Sequence, residues 1–582
     1  MDRDHFFGLI KEAIQGQIQF HLNKRFGPVG EVTFKFEIPP ESTLGHLALA
    51  CFPFAKPCKS SPAQIAGFLA EDLGQSPIWE SVRATGPYLN FLLNPVEVAK
   101  AVFPHVQSPD FGNGTIGKGK KVMLEYSSPN TNKPLHLGHG RNNLLGMSLA
   151  KLLETSGFEV VKTNLINDRG IHICKSMLAY QNAETHPTPE SAGKKGDKLV
   201  GEYYVLYDKQ SKENPALAED ATQMLQDWEA GEPEVRKLWE TMNRWVIDGF
   251  TQTYKRLGCE FDKLYFESQT FESGRAIVQD ARTRGLCQTE DNGALSIDLE
   301  DAKLGKKILL RGDGTSMYIT QDLGTTVKKF EDFAPLDASL FVVGNEQDLH
   351  FKILFETLKR FGYEWSDQLE HISYGMITLP EGKMKSREGT VVDLDDLMDS
   401  MHELAKQEIL SRENFDPNTE MEQIEFTAES LAQGALKFFI LRSGAAKEIQ
   451  FNPKESLSFE GATGPYLQYT HARISSLLAK GVELTPSFDP QSDWNRLETN
   501  LLVSLSRFYD ALFEATQARN PASLCGYLSD LCRSFNKYYY DTPILKVEST
   551  ELAQSRLGLS VAVQAVIAKG LRLLGIEPLT RM

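Results

Sequence analysis

No apolar run in this sequence approaches the ~20 residues that a membrane-spanning helix needs. The first residues, Met1-Asp2-Arg3-Asp4-His5, lack the apolar core of a signal peptide. No excess of basic residues is present: 62 Lys and Arg stand against 78 Asp and Glu, a net charge of -16. A global electrostatic pull toward nucleic acid is therefore missing, and any such binding must rest on local patches. Cysteine is sparse, at positions 51, 58, 174, 259, 287, 525 and 532. The number is odd and no C-x-x-C occurs, which argues against a disulfide framework and a zinc knuckle. Buried free thiols in a reducing compartment are expected. No internal repeat stands out. No heptad or exposed apolar stripe calls for a partner subunit. These absences lead us to expect a cytoplasmic monomer with neither membrane nor DNA as partner and without a protein-held metal.

What is present is a chain of 582 residues with 41% hydrophobic and 24% charged residues, enough for several cored domains. Residues 1–112 form a small α/β unit by pattern. Phe6 to Phe26 has helical spacing, Val32 to Ile38 alternates like a strand, Ser61 starts a helix from Pro62, and Tyr88 to Leu93 is a second strand. Residues from Ser108 to Lys121 are Gly- and Lys-rich and read as a linker. From Lys121 a βαβ pattern begins, with its second strand at Glu159 to Leu165. Asn167-Asp168-Arg169-Gly170 follows at the carboxyl end of that strand, where open parallel sheets place ligands. Residues 181–307 read as an inserted segment. The sheet pattern resumes at Ser339 to Val343, and from Thr427 onward the pattern is helical. The expected architecture is α/β: a Rossmann-like parallel-sheet domain over 113–415, preceded by the small domain and followed by an all-α bundle over 416–582.

The most informative stretch is Glu125 to Arg141, EYSSPNTNKPLHLGHGR. A strand runs into polar turn residues and then into a helix start. That geometry offers backbone N–H groups and a helix N-terminus to an anion. His136 and His139 lie on one side of the first turn. Gly138 between them lacks the Cβ that would block a flat ligand. The stretch suits a nucleoside triphosphate, with the imidazoles on the phosphates. Far along the chain, Gly382-Lys383-Met384-Lys385-Ser386-Arg387-Glu388-Gly389 is a cationic loop flanked by glycines, suited to closing over a polyphosphate.

An H-x-G-H followed much later by a K-M-x-S loop resembles the class I aminoacyl-tRNA synthetases. The fuller E-Y-S-S-P-N-x-x-K-P-x-H-x-G-H-x-R is similar to the arginyl-tRNA synthetase form of that signature. Asp313-Gly314-Thr315-Ser316-Met317-Tyr318-Ile319-Thr320-Gln321-Asp322 resembles the family's D-G-T-x-x-Y-x-T-x-D. The resemblance implies ATP-dependent activation of L-arginine to arginyl-adenylate, with Mg2+ on the phosphates. Transfer to the 2'-OH of the 3'-terminal adenosine of tRNA(Arg) then follows. It implies catalytic roles for His136, His139, Lys383 and Lys385. It assigns ATP contacts to Lys133, His136, Gly138, His139, Met376, Lys383, Met384 and Ser386. It points to Glu125, Asn130, Tyr318, Asp322 and Gln347 as the arginine pocket. A guanidinium pairs best with carboxylates held in a fork, which suits Glu125 and Asp322.

The loop departs from K-M-S-K-S by placing Ser386 where the second lysine stands, which leaves Lys385 or Arg387 to supply that charge. Arg169 stands where the family has an aromatic and could pair with Asp168 or reach a phosphate. The C-terminal helices resemble the family's anticodon-binding domain, with Tyr466, Arg473 and Met582 as contacts. Tyr469 and Phe535 are assigned to the core. The N-terminal domain resembles the family's tRNA-elbow domain. The alternatives are another class I synthetase or a catalytically silent tRNA-binding paralogue. Two carboxylates aimed at a cation oppose the first, and the intact histidine pair opposes the second.

Overall fold

The computed structural model describes residues 6–30, 32–41, 43–380, 392–412 and 415–582. The expected loop at Lys383, Met384, Lys385 and Ser386 lies outside them.

Apolar runs buried on both faces form a five-stranded parallel sheet. In chain order its strands are Lys121–Glu125, Glu159–Ile166, Lys263–Phe266, Ala338–Gly344 and Leu369–Tyr374. In space the first strand is central. The second and third lie to one side of it, the fourth and fifth to the other. Strand order reverses between Lys121–Glu125 and Ala338–Gly344, which pair with Val122 opposite Ala338 and Glu125 opposite Phe341. Diverging connections leave a crevice at the carboxyl ends of such a strand pair. The helix Leu137–Thr155 begins there on one side and the helix Asp348–Arg360 on the other.

The segment 181–307 is not one insertion. Lys263–Phe266, within it, pairs with Thr163–Ile166 as a strand of the main sheet. Its four residues are too few to show alternation against the helical sequence around them. The helices Gly196–Glu213, Leu217–Ala230 and Pro233–Leu257 precede that strand. A three-stranded antiparallel sheet, Gln288–Thr289, Leu295–Leu299 and Gly305–Leu310, follows it.

The N-terminal unit is a four-stranded antiparallel sheet with the helix Pro62–Asp72 packed on it and Phe6–Phe26 against that helix, whereas Pro95–Val106 packs on the helix Arg496–Ser506. Ser61 caps the helix Pro62–Asp72 through a reciprocal box with Gln64. The strand expected over Val32 to Ile38 shrinks to Phe36–Glu37, because its partner Leu47–Ala50 is short and only two residue pairs register. The expected linker is pinned: Gly112 N–H donates to Tyr509 Oη at 3.1 Å and Gly114 N–H to Thr155 O at 2.7 Å.

The C-terminal unit is built from the helices Met421–Leu441, Gly464–Lys480, Arg496–Ser506, Phe508–Gln517, Ala522–Asp541 and Thr550–Leu573. Within it Glu498 and Arg556 form a buried pair at 2.6 Å. Ile377–Thr378 pairs with Ile449–Gln450, so the sheet-bearing and helical units are stitched across the expected boundary at 415. The seven cysteines are free, and all but Cys287 are buried. Among the described residues no helix is long and apolar enough to cross a membrane.

Candidate active site

The crevice opens on a strained turn. Ser127 and Ser128, directly after the central strand, have φ of 82° and 49°. Each such left-handed residue costs roughly 1–3 kcal/mol and needs external support. Support comes from three directions. Ser127 N–H donates to Asn142 Oδ1 at 2.5 Å and Ser128 N–H to Asn164 Oδ1 at 3.0 Å. Ser127 Oγ meets Tyr254 Oη at 2.7 Å. Asn142 also donates to Val342 O at 2.7 Å, tying the helix Leu137–Thr155 to the neighbouring strand. None of these supports was legible from spacing, because their partners are far apart in sequence.

His136 is the N-cap of the helix Leu137–Thr155. Its Nδ1 accepts from Gly138 N–H at 3.1 Å and His139 N–H at 3.4 Å. His139 Nδ1 accepts in return from His136 N–H at 3.2 Å. The rings lie 3.9 Å apart, centroid to centroid. The remaining first-turn donors are also taken, Leu137 N–H by Val392 O and Gly140 N–H by His136 O. This corrects the expectation that the helix start offers bare N–H groups to an anion. Burial, then Lys133, lowers His136 to about 4, and burial, then His136 and Lys133, holds His139 well below the usual imidazole range. Both rings are neutral, and because each Nδ1 is an acceptor each proton sits on Nε2. The pair is left with two Nε2–H groups as its donors, on rings oriented by the backbone. A Cβ on residue 138 would come within 2.9 Å of the His136 ring, so the glycine makes room for the imidazole.

The flanks of the 381–391 segment are fixed to this same helix. Arg141, fully buried, donates to Met376 O at 2.9 Å, Ala445 O at 2.9 Å and Lys447 O at 2.7 Å. On the other flank Leu394 N–H donates to Leu135 O at 2.9 Å, and Asp393 bridges His136. The helix Leu394–Ser411 that follows is clamped to the long helices before Lys263 by Lys195–Asp395 at 2.5 Å and Lys198–Asp396 at 2.6 Å. Met376 presents its carbonyl to Arg141, while its side chain is exposed.

The five residues nominated for arginine border the crevice in different states. Asn130 bridges Asn167 and is exposed, and Gln347 is exposed at the N-cap of Asp348–Arg360. Tyr318 opens the helix Tyr318–Phe333 and is 80% exposed, with Asp322 one turn later. Both nominated carboxylates already hold internal partners. Glu125 is buried in an ion pair with Lys329, whose ammonium also faces the Phe341 ring. Asp322 Oδ2 lies 2.6 Å from His350 Nε2. Beside Asp322, burial pushes the Glu267 carboxyl up to about 7, with Arg169 opposing and Asp168 and Asp322 adding. Arg169 takes neither expected course. It pairs with Glu229 at 2.5 Å and lies over Phe271, while Asp168 accepts from Ser268. Among the described residues no His, Cys, Asp or Glu cluster is arranged to hold a metal.

In the helical unit, Asn536 joins Tyr466 and Arg473. Its Nδ2 donates to Tyr466 Oη at 3.0 Å and its Oδ1 accepts from Arg473. Phe535 is core as expected, but Tyr469 is only half-buried, with the Arg473 guanidinium 4.7 Å from its ring centre. Tyr469 borders a small apolar recess with Phe459, Arg412 and Met582.

Comparison with known proteins gives a consistent picture. Residues 107–452 match the catalytic domain of class I tRNA synthetases (R), 467–582 the DALR anticodon binding domain, and 10–93 the arginyl tRNA synthetase N terminal domain. The chain is similar to an arginine–tRNA ligase of Treponema denticola, 45% identical over 92% of this chain and 93% of that one. It is 41% identical to one from Parabacteroides distasonis over 99% and 100% of the two chains. The Thermus thermophilus arginyl-tRNA synthetase structure superposes with a TM-score of 0.77 at 25% identity, covering 98% of this chain and 100% of the other.

Proposed function

Because the chain belongs to the arginyl-tRNA synthetases of class I, and so has arginine–tRNA ligase activity with ATP, arginine and tRNA as substrates, we propose how its residues divide the work. The observation that carries the assignment is the pair of neutral imidazoles at the start of the helix Leu137–Thr155, each with its Nδ1 spent on backbone N–H groups and its proton on Nε2. Attack of the arginine carboxylate on the α-phosphate builds negative charge on phosphate oxygens and expels pyrophosphate. Little proton transfer is required, so pre-aimed neutral donors are the fitting catalytic group. His136 and His139 donate to those oxygens, with Lys133 as a nearby cation. Lys383, Lys385, Met384 and Ser386 complete the phosphate side, Met376 and Gly138 the nucleoside side. The donors here are N–H groups and an ammonium, which suit phosphate oxygens and not a metal. Mg2+ accordingly belongs with the ATP phosphates, where it neutralises charge. Pyrophosphate exchange with each amino acid, in the presence of tRNA, tests the assignment: arginine alone should support it.

Asn130 and Gln347 hold the α-amino and carboxylate groups. Asp322 reads the guanidinium with Tyr318 beside it, and Glu125 contributes field from behind its Lys329 pair. Asp322→Asn turns a charge-assisted bond into a neutral one, a loss of roughly 1–3 kcal/mol with arginine. The ratio of arginine to lysine turnover should fall with it. An unchanged ratio would show that Asp322 does not read the side chain. The adenylate is then transferred to the 2'-OH of the terminal adenosine.

In this division residues 1–112 contact the tRNA elbow, 113–415 carry the chemistry, and 416–582 grip the anticodon through Tyr466, Arg473 and Met582. Stacking rings and a forked cation suit splayed bases. The protein acts as a cytoplasmic monomer, with no DNA or membrane partner. A contiguous route supports coupling of the two ends. Arg473 contacts Tyr469, Tyr469 meets Phe459, and Phe459 underlies Arg412, which ends the helix leading from the 381–391 segment. Coupling requires tRNA to favour one state of that segment over another. Exchange should be very slow without tRNA, and Arg473→Ala should lower it at limiting tRNA. Full-rate adenylate formation by the protein alone would exclude this.

A further inference from the structure

The two carboxylates beside the crevice differ in what their internal partners permit. Glu125 and Lys329 have side chains 6% and 1% exposed, closed off from solvent. That pair is a fixed part of the wall. Asp322 and His350 have side chains 33% and 26% exposed, and imidazole can lose its charge. That pair is reachable and can be dissolved. His350 lies in the first turn of the helix capped by Gln347 and spans to the helix bearing Asp322.

We propose that His350 is a positioning residue that competes, as imidazolium, with the substrate guanidinium for Asp322, so that arginine binding expels a proton from the site. The proposal rests on the reading that Asp322 takes the guanidinium. In the free protein the hydrogen bond to Asp322, against burial, raises the affinity of His350 for its proton. A guanidinium on Asp322 removes that counter-ion and sets a second cation beside the ring. The proton then leaves, and the neutral ring can still orient the carboxylate. By linkage, arginine affinity is full above the raised pKa of His350 and falls as pH drops through it, at most roughly tenfold per pH unit for one proton.

Other groups face this pair. On its own helix, Asp348 lies 3.5 Å from His371 of the strand Leu369–Tyr374, and Phe351 separates His371 from His350. Burial lowers His371, against its bond to Val343 O and the nearby Asp348. Glu267, at the start of the helix Glu267–Thr283, lies near Asp322, with Asp168 and Arg169 beyond it. Its protonation would weaken arginine binding with the same sign, so it is the necessary control.

The test uses the enzyme–tRNA complex. The KM for arginine in pyrophosphate exchange should rise from about pH 8 to about pH 6, while kcat at saturating arginine changes little. Titration of arginine in two buffers of different ionisation enthalpy should show proton release near pH 6.5, vanishing near pH 9. His350→Gln should flatten the KM profile and abolish the release, and Glu267→Gln should keep both. No proton release by the parent complex overturns the proposal without recourse to any variant. So does a His350→Gln profile that follows the parent, or loss of the effect in Glu267→Gln alone. Parent-like arginine affinity in Asp322→Asn would instead remove the reading of Asp322 beneath it.

Discussion

Replacing His139 with alanine slows pyrophosphate exchange by about 10²–10³-fold, the loss expected for one pre-aimed oxyanion donor, about 3 kcal/mol. Arginine affinity stays near that of the parent, since in the proposed division of work the ring serves the phosphates and not the amino-acid side chain. The effect has a second source. His139 Nδ1 accepts the His136 N–H, so its removal also frees the cap that aims His136. Both rings are held neutral by burial, with His136 near 4. The His-dependent part of the rate should therefore be flat between about pH 6 and pH 8, where ordinary histidines titrate. An exchange rate in the variant equal to the parent's would remove this pair from the chemistry. A step near pH 6.5 that disappears with His139 would show that a charged ring does the work.

Arg141→Met is expected to cost about 3 kcal/mol or more in stability and to depress exchange strongly. Arg141 is fully buried and satisfies three carbonyl oxygens, on Met376, Ala445 and Lys447. Methionine fills much of the space but donates nothing, and each stranded buried acceptor costs roughly 1–3 kcal/mol. The site suffers beyond the stability loss. Arg141 fixes one flank of the 381–391 segment to the helix that carries both histidines, and ties the helical unit to the same point. Denaturant unfolding and exchange with saturating ATP measure the two effects separately. A variant as stable as the parent, with parent exchange, would mean that water or repacking replaces these bonds.

Much of the site was legible because its residues are close in sequence. His136, Gly138 and His139 sit within one helical turn, and the strand–turn–helix pattern around them follows from local apolar period and turn residues. Tyr318 and Asp322 are one turn apart for the same reason, and the helix Tyr318–Phe333 begins at Tyr318. The strand Tyr88–Leu93 and the helix Phe6–Phe26 have the expected bounds. Lys263–Phe266 is not legible as a strand because four residues carry too little period to outweigh their helical flanks. For Arg169 the local pattern allows two partners, and its actual partner, Glu229, comes from a helix whose position no local pattern encodes.

By itself the sequence determined what near neighbours along the chain decide: the order of elements, the histidine motif, the lack of basic excess, and the resemblance that names the reaction. Tertiary structure alone decided which groups are spent and which remain available. It consumed the first-turn N–H groups within the histidine cap and left each ring's proton on Nε2. It paired Glu125 with Lys329 and Asp322 with His350, partners that lie 28 residues apart in the second pair. It also anchored Arg141 on carbonyls up to 306 residues away. The physical reason is that a side chain's charge state and free hydrogen-bonding capacity depend on what surrounds it in space. In an α/β sheet whose strand order departs from chain order, that surrounding is assembled from distant segments.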